Sequence, residues 1–370
     1  MRAVRRAFDT IERDTWDTLL AANPWATPFS RWAFHRAWWD GYGANAHEET
    51  LVVVPANGRD DATPIAIIPL MHRHEVEPDD VEHATKIRSA VGPRLTPVPP
   101  DAKALFFGAS YHADYATILC APTDLPATAT ALADYCASDG DPRHPAPWDA
   151  VDLRRLRCGD PAAEALEDAF ASLDDQRGWM TMLEREEVCP VATLPDTRDV
   201  EVFLATLGKK ERHEVRRAEA VGEVALVDSR DPLADIDAFI DLHQKRWGID
   251  GLFPNTAGGE QSRVFIRRLF EAFGPDDALR LAFLTVGGRR IAAGISFETA
   301  DTLYYYNAGV DPDARELSPG VLMVERYVRR ALEKGIQTLD FLRGDETYKY
   351  EWGAVDHPIQ RLLVRRTGAR

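Results

Sequence analysis

Three strand-like runs in close succession, Leu279–Val286, Arg290–Glu298 and Thr302–Gly309, limit what the second half of this chain can become. Gly287-Gly288 joins the first pair, and glycine at both central positions favours a tight hairpin turn. The second pair turns around Ala300-Asp301. A well-marked helix follows: Ser318 suits the N-cap, Pro319 the first helical position and Gly335 the exit. Val321, Val324, Val328, Ala331 and Leu332 form its apolar stripe, and Arg329, Arg330 and Lys334 lie where the helix dipole favours cations. A short strand at Thr338–Leu342, a polar loop and a last strand at Gln360–Arg365 complete the half, and helices at Pro232–Trp247 and Glu260–Phe273 precede it. The expected class is α/β, an α+β mixed sheet.

The first half shows a looser version of the same alternation. Helices are expected at Arg31–Asp40, with Trp32 and Trp39 on an aromatic face, and at Ala127–Ala137 and Pro161–Leu173. Strands are expected at Thr50–Val54, Pro64–Leu70, Asp114–Cys120, Ala150–Leu153 and Trp179–Leu183, with a turn at Asn57-Gly58-Arg59-Asp60 and a Pro-rich loop at Asp141–Pro147. With 370 residues the chain accommodates two domains, placed at 1–190 and 191–370. Asp199–Ala220 reads as one long helix. Its Lys209, Arg212, His213, Arg216 and Arg217 make a basic stripe, either a solvated face salted by Glu211, Glu214 and Glu219 or a phosphate-binding one.

A net charge of −16 argues against DNA or any broad polyanion as partner. Cys120, Cys136, Cys158 and Cys189 are scattered, with no C-x-x-C pair, and read as reduced thiols. No run is long enough to span a bilayer, and no signal peptide is evident, so a cytoplasmic protein is expected. Gly41-Tyr42-Gly43-Ala44-Asn45-Ala46 fits a dinucleotide pattern only formally, since it follows a helix instead of a strand. His72, His74 and His357 read as ordinary surface histidines, and no metal cluster is expected.

Two segments carry concentrated chemistry. Arg315-Glu316-Leu317-Ser318-Pro319-Gly320 opens a helix whose free amides and dipole suit a phosphate, with Gly320 allowing close approach. The loop from Phe341 to Gly353 holds Arg343, Asp345, Glu346, Tyr348, Lys349, Tyr350 and Trp352. Loops that leave a sheet in this way commonly build sites.

In element order the second half resembles the acyl-CoA N-acyltransferase, or GNAT, fold. Its Q/R-x-x-G-x-G/A loop stands here as Arg315 to Gly320, with Ser318 where that family prefers glycine. The run Asp345-Glu346-x-Tyr348-Lys349-x-x-Trp352 is similar to the signature of the CelD-like acetyltransferases, which share two GNAT-like halves with the FemABX peptidyltransferases. His243–Trp247 and Lys209–Ala220 fit the same families.

The resemblance implies tandem GNAT-like domains, with the first degenerate. It also implies acetyl-CoA or another acyl-CoA as co-substrate, no metal, and Arg315, Ser318, Gly320 and the strand around Tyr306 and Asn307 as the donor site. Acyl transfer needs a base, oxyanion donors and an acid. Asp345 and Glu346 are the candidate bases, unless they only cap the loop against Arg343 or Lys349, and Tyr348 or Tyr350 is the candidate acid. Arg343, Lys349, Trp352 and Trp247 are expected on the substrate side, with packing the alternative for Trp352. Glu298 either faces the same groove or is an exposed turn acid. The implied acceptor is an amine or hydroxyl of a sugar or polysaccharide precursor. An aminoacyl-tRNA donor, or a non-catalytic binding protein, are the other readings.

Overall fold

A computed structural model describes residues 1–73, 95–99, 102–138, 148–173, 178–274 and 278–366. The expected loop at Asp141–Pro147 and His74 lie outside the described residues. The chain forms two compact units, Met1–Glu187 with Pro358–Arg370, and Val188–His357. The final strand therefore returns to the first unit.

The first unit opens with β1 (Arg2–Arg5), α1 (Arg13–Ala22), α2 (Trp32–Tyr42), β2 (His47–Glu48) and β3 (Leu51–Val54). Next come β4 (Ala66–Ile68), β5 (Leu70–Arg73), β6 (Ala104–Phe107), β7 (Leu119–Cys120), α3 (Leu125–Ala137), β8 (Ala150–Arg157) and α4 (Pro161–Ala171). β9 (Trp179–Thr193) leads into the second unit. The segment expected as one strand at Pro64–Leu70 is divided between two sheets: β4 joins β1, β3 and β7, whereas β5 pairs with β2 and β6. The strand expected at Asp114–Cys120 is reduced to β7. Leu51, Val53, Leu105, Leu132, Leu153 and Phe170 share one core. His72 is buried, with its ring beside those of His47 and Trp148, and is not a surface histidine. Trp32 and Trp39 pack against a separate core around Phe8 and Trp16. Asp152 sits wholly buried in β8, where burial alone would raise its pKa. The guanidiniums of Arg154 and Arg361 outweigh that and hold it below the usual carboxylate range.

The second unit runs α5 (Val200–Thr206), α6 (Lys209–Glu219), β10 (Val224–Asp228), α7 (Pro232–Trp247), α8 (Ala257–Phe273), β11 (Leu279–Val286), β12 (Arg289–Glu298), β13 (Thr302–Val310), α9 (Pro319–Lys334), β14 (Thr338–Asp340) and α10 (Thr347–Glu351). β15 (Val355–Arg366) follows. The helix expected over Asp199–Ala220 is two helices. Leu207 takes an extended conformation (φ −78°, ψ 165°) and buries its side chain, so the first helix must stop before Gly208. Strands of this unit lie in the order β10-β11-β12-β13-β14, with β14 also paired to the end of β9. β10 to β13 are antiparallel neighbours, whereas β13 and β14 are parallel and joined through α9. The first unit repeats that device: β6 and β8 are parallel, with α3 between them in the chain. Leu303, Leu322, Tyr327, Val328, Leu339 and Trp352 belong to the second unit's core.

Burial lowers the pKa of His35, in the first unit, to about 3, and that of His243, in the second, to about 4. Each is neutral when folded and gains a proton below pH 6.5 when unfolded. Stability from this source is complete above pH 6.5 and declines as pH falls toward the folded pKa, by about 1.4 kcal/mol per pH unit for each histidine. Denaturant titrations between pH 7 and pH 5 check this. A His35→Gln variant is expected to flatten the pH slope of the first unit alone.

Candidate active site

β13 and β14 share three paired positions, Thr302 with Thr338, Leu303 with Leu339 and Tyr304 with Asp340. Beyond Tyr304, β13 continues to Val310 while β14 ends, so the parallel strands part company. On its other side β13 carries a bulge: Asn307 opposes Ile295 and Tyr305 opposes Ser296, leaving Tyr306 as the extra residue. A bulge re-aims the backbone and frees ladder groups. Tyr306 and Asn307, the residues expected to meet an acyl carbonyl, thus lie at the bulge and the open strand edge. Both loops singled out in the sequence leave the carboxyl ends of these strands, where ligands bind in open α/β sheets.

From β13 the chain passes a 3-10 turn, Pro312–Leu317, into α9. Ser318 stands at the N-cap but does not cap. It is left-handed (φ 50°, ψ 55°), and its hydroxyl accepts a hydrogen bond from Arg217 Nη2 at 2.8 Å. Glycine adopts that conformation more cheaply than serine does, by about 1 kcal/mol. This explains the glycine preferred at this position in related loops. Leu322 N–H is bonded to Ser318 O, whereas the amides of Gly320 and Val321 find no acceptor among the described residues. A Cβ on Gly320 would meet nothing within 4 Å, so the position is open on its side-chain side. Arg315 is exposed beside them. These residues fit a phosphate group.

The loop after β14 is tied down by its own lysine. Lys349 Nζ donates to the carbonyls of Leu342, Arg343 and Gly344 at 3.0, 2.8 and 2.9 Å, and pairs with Glu346 at 2.9 Å. Its side chain is 3% exposed, so the expected substrate anchor is instead a clamp with no donor to spare. Trp352 is likewise buried, stacked near Phe203, and packs instead of binding. Arg343 contributes its carbonyl to the clamp. Tyr348 stands edge-on to Phe341, which lies edge-on to Tyr305 of β13. Burial, then the neighbouring Tyr305 and the charge of Glu346, push the Tyr348 phenol well above its ordinary pKa. Asp345 is exposed, and Tyr350 donates to Asp356 at 2.6 Å. Glu298 is neither in this groove nor an exposed turn acid: it pairs with Arg330 and Lys334 near the far end of α9.

Residues 208–350 match the family model described as Acetyltransferase (GNAT) domain. The second unit is a GNAT domain. No curated protein matches the chain in sequence. Solved structures share its fold, among them the following three. FemX gives a TM-score of 0.58 at 11% identity, covering 97% of each chain. A protein of unknown function from Bacteroides thetaiotaomicron gives 0.53 at 13%, covering 96% of this chain and 98% of that one. A tandem GNAT protein from the clavulanic acid biosynthesis pathway gives 0.51 at 9%, covering 100% and 99%. The chain has the tandem GNAT fold of these proteins, and the GNAT fold implies an acyl-CoA co-substrate.

Within the GNAT domain, helix α6 touches both functional segments. Lys210 pairs with Glu351 at 3.6 Å, and Arg217, seven residues on, meets Ser318. The basic stripe is thus partly committed to the site and is more than a solvated face. Sequence reasoning put Arg217 in the stripe but gave it no partner, because its contact with Ser318 joins residues 101 positions apart. Trp247, expected on the substrate side, ends α7 with 40% of its surface exposed. A groove of about 580 Å³ lies along α9 and β10, away from the strand opening. Its Arg326, Arg330 and Lys334 are neutralised by Glu219, Glu325, Asp228 and Glu298. Among the described residues no cluster of three or more His, Cys, Asp or Glu is able to hold a metal, and no helix is long and apolar enough to cross a membrane.

Replacing Lys349 by Met would leave three loop carbonyls and Glu346 without their cation. We expect a loss of about 3 kcal/mol in the GNAT domain, the cost of breaking a buried pair from one side. Thermal unfolding of Lys349→Met and Lys349→Arg checks this. The longer planar Arg head does not reproduce a three-carbonyl clamp, so both variants melt early.

Proposed function

We propose that this protein is an acyltransferase of the CelD-like kind, moving an acetyl or other acyl group from acyl-CoA to an amine or hydroxyl of a sugar or cell-envelope precursor, in the cytoplasm and without a metal. One observation carries the reading: the opening between β13 and β14 is flanked by the unpaired amides of Gly320 and Val321 and by the loop bearing Tyr348. An acyl-CoA supplies an acyl carbon already activated on sulfur.

The chain's own residues do the rest. Gly320 and Val321 amides, with the guanidiniums of Arg315 and Arg217, offer donors to the phosphates at the start of α9. Backbone amides of Tyr306 and Asn307 supply the donor that strengthens as negative charge builds on the acyl oxygen. Tyr348, a phenol that holds its proton at neutral pH, delivers that proton to the leaving sulfur. Glu346 is the better placed base. It is held by Lys349 and half-sheltered, and its charge is felt at Tyr348, whereas Asp345 points into solvent. It takes the proton that the attacking amine or hydroxyl gives up.

A second reading, transfer of an aminoacyl group from charged tRNA, draws on the likeness to FemX and on the exposed Lys209, Lys210, Arg216 and Arg217 of α6. The net charge of −16 weighs against it. Thermal shift separates the readings: a ligand at a hundredfold excess over its Kd stabilises by about 2.7 kcal/mol. Acetyl-CoA is expected to raise the melting temperature and charged tRNA is not. No response to either would support a non-catalytic binding role. Tyr348→Phe is expected to keep acetyl-CoA affinity and lower kcat by about a hundredfold, the usual weight of one acid–base group.

A further inference from the structure

Among the described residues of the second unit, the non-glycine residues with left-handed backbone are Ser318 (φ 50°) and Leu342 (φ 58°). They lie in the two segments that flank the strand opening. Strained conformations of this kind persist only where the surrounding structure holds them. The Leu342 carbonyl is held by Lys349 Nζ. Ser318 is under a further constraint, since Pro319 follows it and a residue before proline favours an extended chain. Its N–H bonds Arg315 O at 3.1 Å, and its carbonyl takes the amide of Leu322 at 3.2 Å, so the turn is fastened to the helix on both sides. Its hydroxyl makes no cap bond within α9 and takes Arg217 Nη2 at 2.8 Å instead.

Arg217 comes from a helix that is itself fixed. Within α6 the side chain of Val215 is buried, and Glu219 pairs with Arg326 of α9 at 3.1 Å. Toward its start, Lys210 pairs with Glu351 of α10 at 3.6 Å. Pinned in this way, α6 presents Arg217 to Ser318 from a set position. A guanidinium carries several N–H donors, so the bond to one hydroxyl leaves others for a phosphate. The backbone angles of residue 318 set how the start of α9, with the amides of Gly320 and Val321, is aimed relative to Arg315 in the preceding turn. Glycine takes a left-handed conformation unaided, whereas an L-residue needs an outside partner to stay there.

We propose that Arg217 is a positioning residue of the donor site: through the Ser318 hydroxyl it locks the left-handed turn that opens α9, and so aligns Arg315 and the Gly320 and Val321 amides for a diphosphate. The serine–arginine pair takes the place of the glycine preferred in related loops. The inference rests on the acyltransferase reading for the identity of the donor, an acyl-CoA, but the alignment is testable without turnover and with a simpler diphosphate.

The test is calorimetric titration of the full-length protein with acetyl-CoA and, separately, with inorganic pyrophosphate. It compares the unaltered protein with Ser318→Ala, Ser318→Gly, Arg217→Met and the double variant Arg217→Met/Ser318→Gly. Ser318→Ala keeps the Cβ and loses the hydroxyl, so it is expected to bind about fivefold more weakly, the usual weight of one hydrogen bond. Ser318→Gly is expected to bind at least as tightly as the unaltered protein. The loss caused by Arg217→Met is expected to be about fivefold smaller in the Ser318→Gly background than in the native one. Equal losses in both backgrounds, or weakening by Ser318→Gly to match that by Ser318→Ala, would overturn the proposal. Melting temperatures of the ligand-free variants are measured alongside. A dependence between the two sites that is seen in melting and not in affinity assigns the contact to stability alone and also overturns it. If pyrophosphate binds with the expected pattern and acetyl-CoA does not bind the unaltered protein, the positioning role stands and the acyl-CoA reading fails. Binding of neither probe to the unaltered protein would sink both.

Discussion

The separation of β13 from β14 after three paired positions is the constraint on which the site depends. Parallel strands normally run on together, because each unpaired backbone group costs free energy unless something else satisfies it. Here the edge is left open where a bulge adds Tyr306 to one strand and where the other strand ends at Asp340. A helix start and a clamped loop stand on either side of the gap. Where the strands part, the Tyr305 ring meets Phe341 edge-on, and Tyr327 of α9 packs against Tyr305.

Charge placement supports the same geometry. In this acidic chain α6 brings cations to both segments, meeting Ser318 through Arg217 and Glu351 through Lys210. Lys349 works differently. Three carbonyls and one carboxylate surround its ammonium, so its charge shapes the loop and is not available to a ligand. The same sequence motif thus contains a residue that builds the site and others that face it.

Much of the second unit was legible in the sequence. α7 was delimited correctly because Pro232 suits a first helical turn and Gly248 a helix exit, and β11 to β13 because hairpin signals separate apolar runs. The start of α9 was placed correctly, yet its cap was misread: the left-handed backbone of Ser318 and its bond to Arg217 arise from packing, which residue type does not reveal. The break at Leu207 was hidden because basic and apolar positions kept helical spacing across it. Lys349 looked like an anchor since its partners are backbone carbonyls, which carry no sequence signal. In the first unit, β6 escaped because a short apolar run resembles helix as readily as strand, and β9 was read only over Trp179–Leu183 because the charged Glu184-Arg185-Glu186-Glu187 hides its continuation to Thr193.

Amide hydrogen exchange with and without acetyl-CoA tests the central claim most directly, because it reads the backbone at the parted strands. The account predicts slowed exchange at Tyr306, Asn307, Gly320 and Val321 on adding acetyl-CoA, with the paired segment Thr302–Tyr304 unchanged. Protection confined to the groove along α9 and β10, or none in either place, would contradict it.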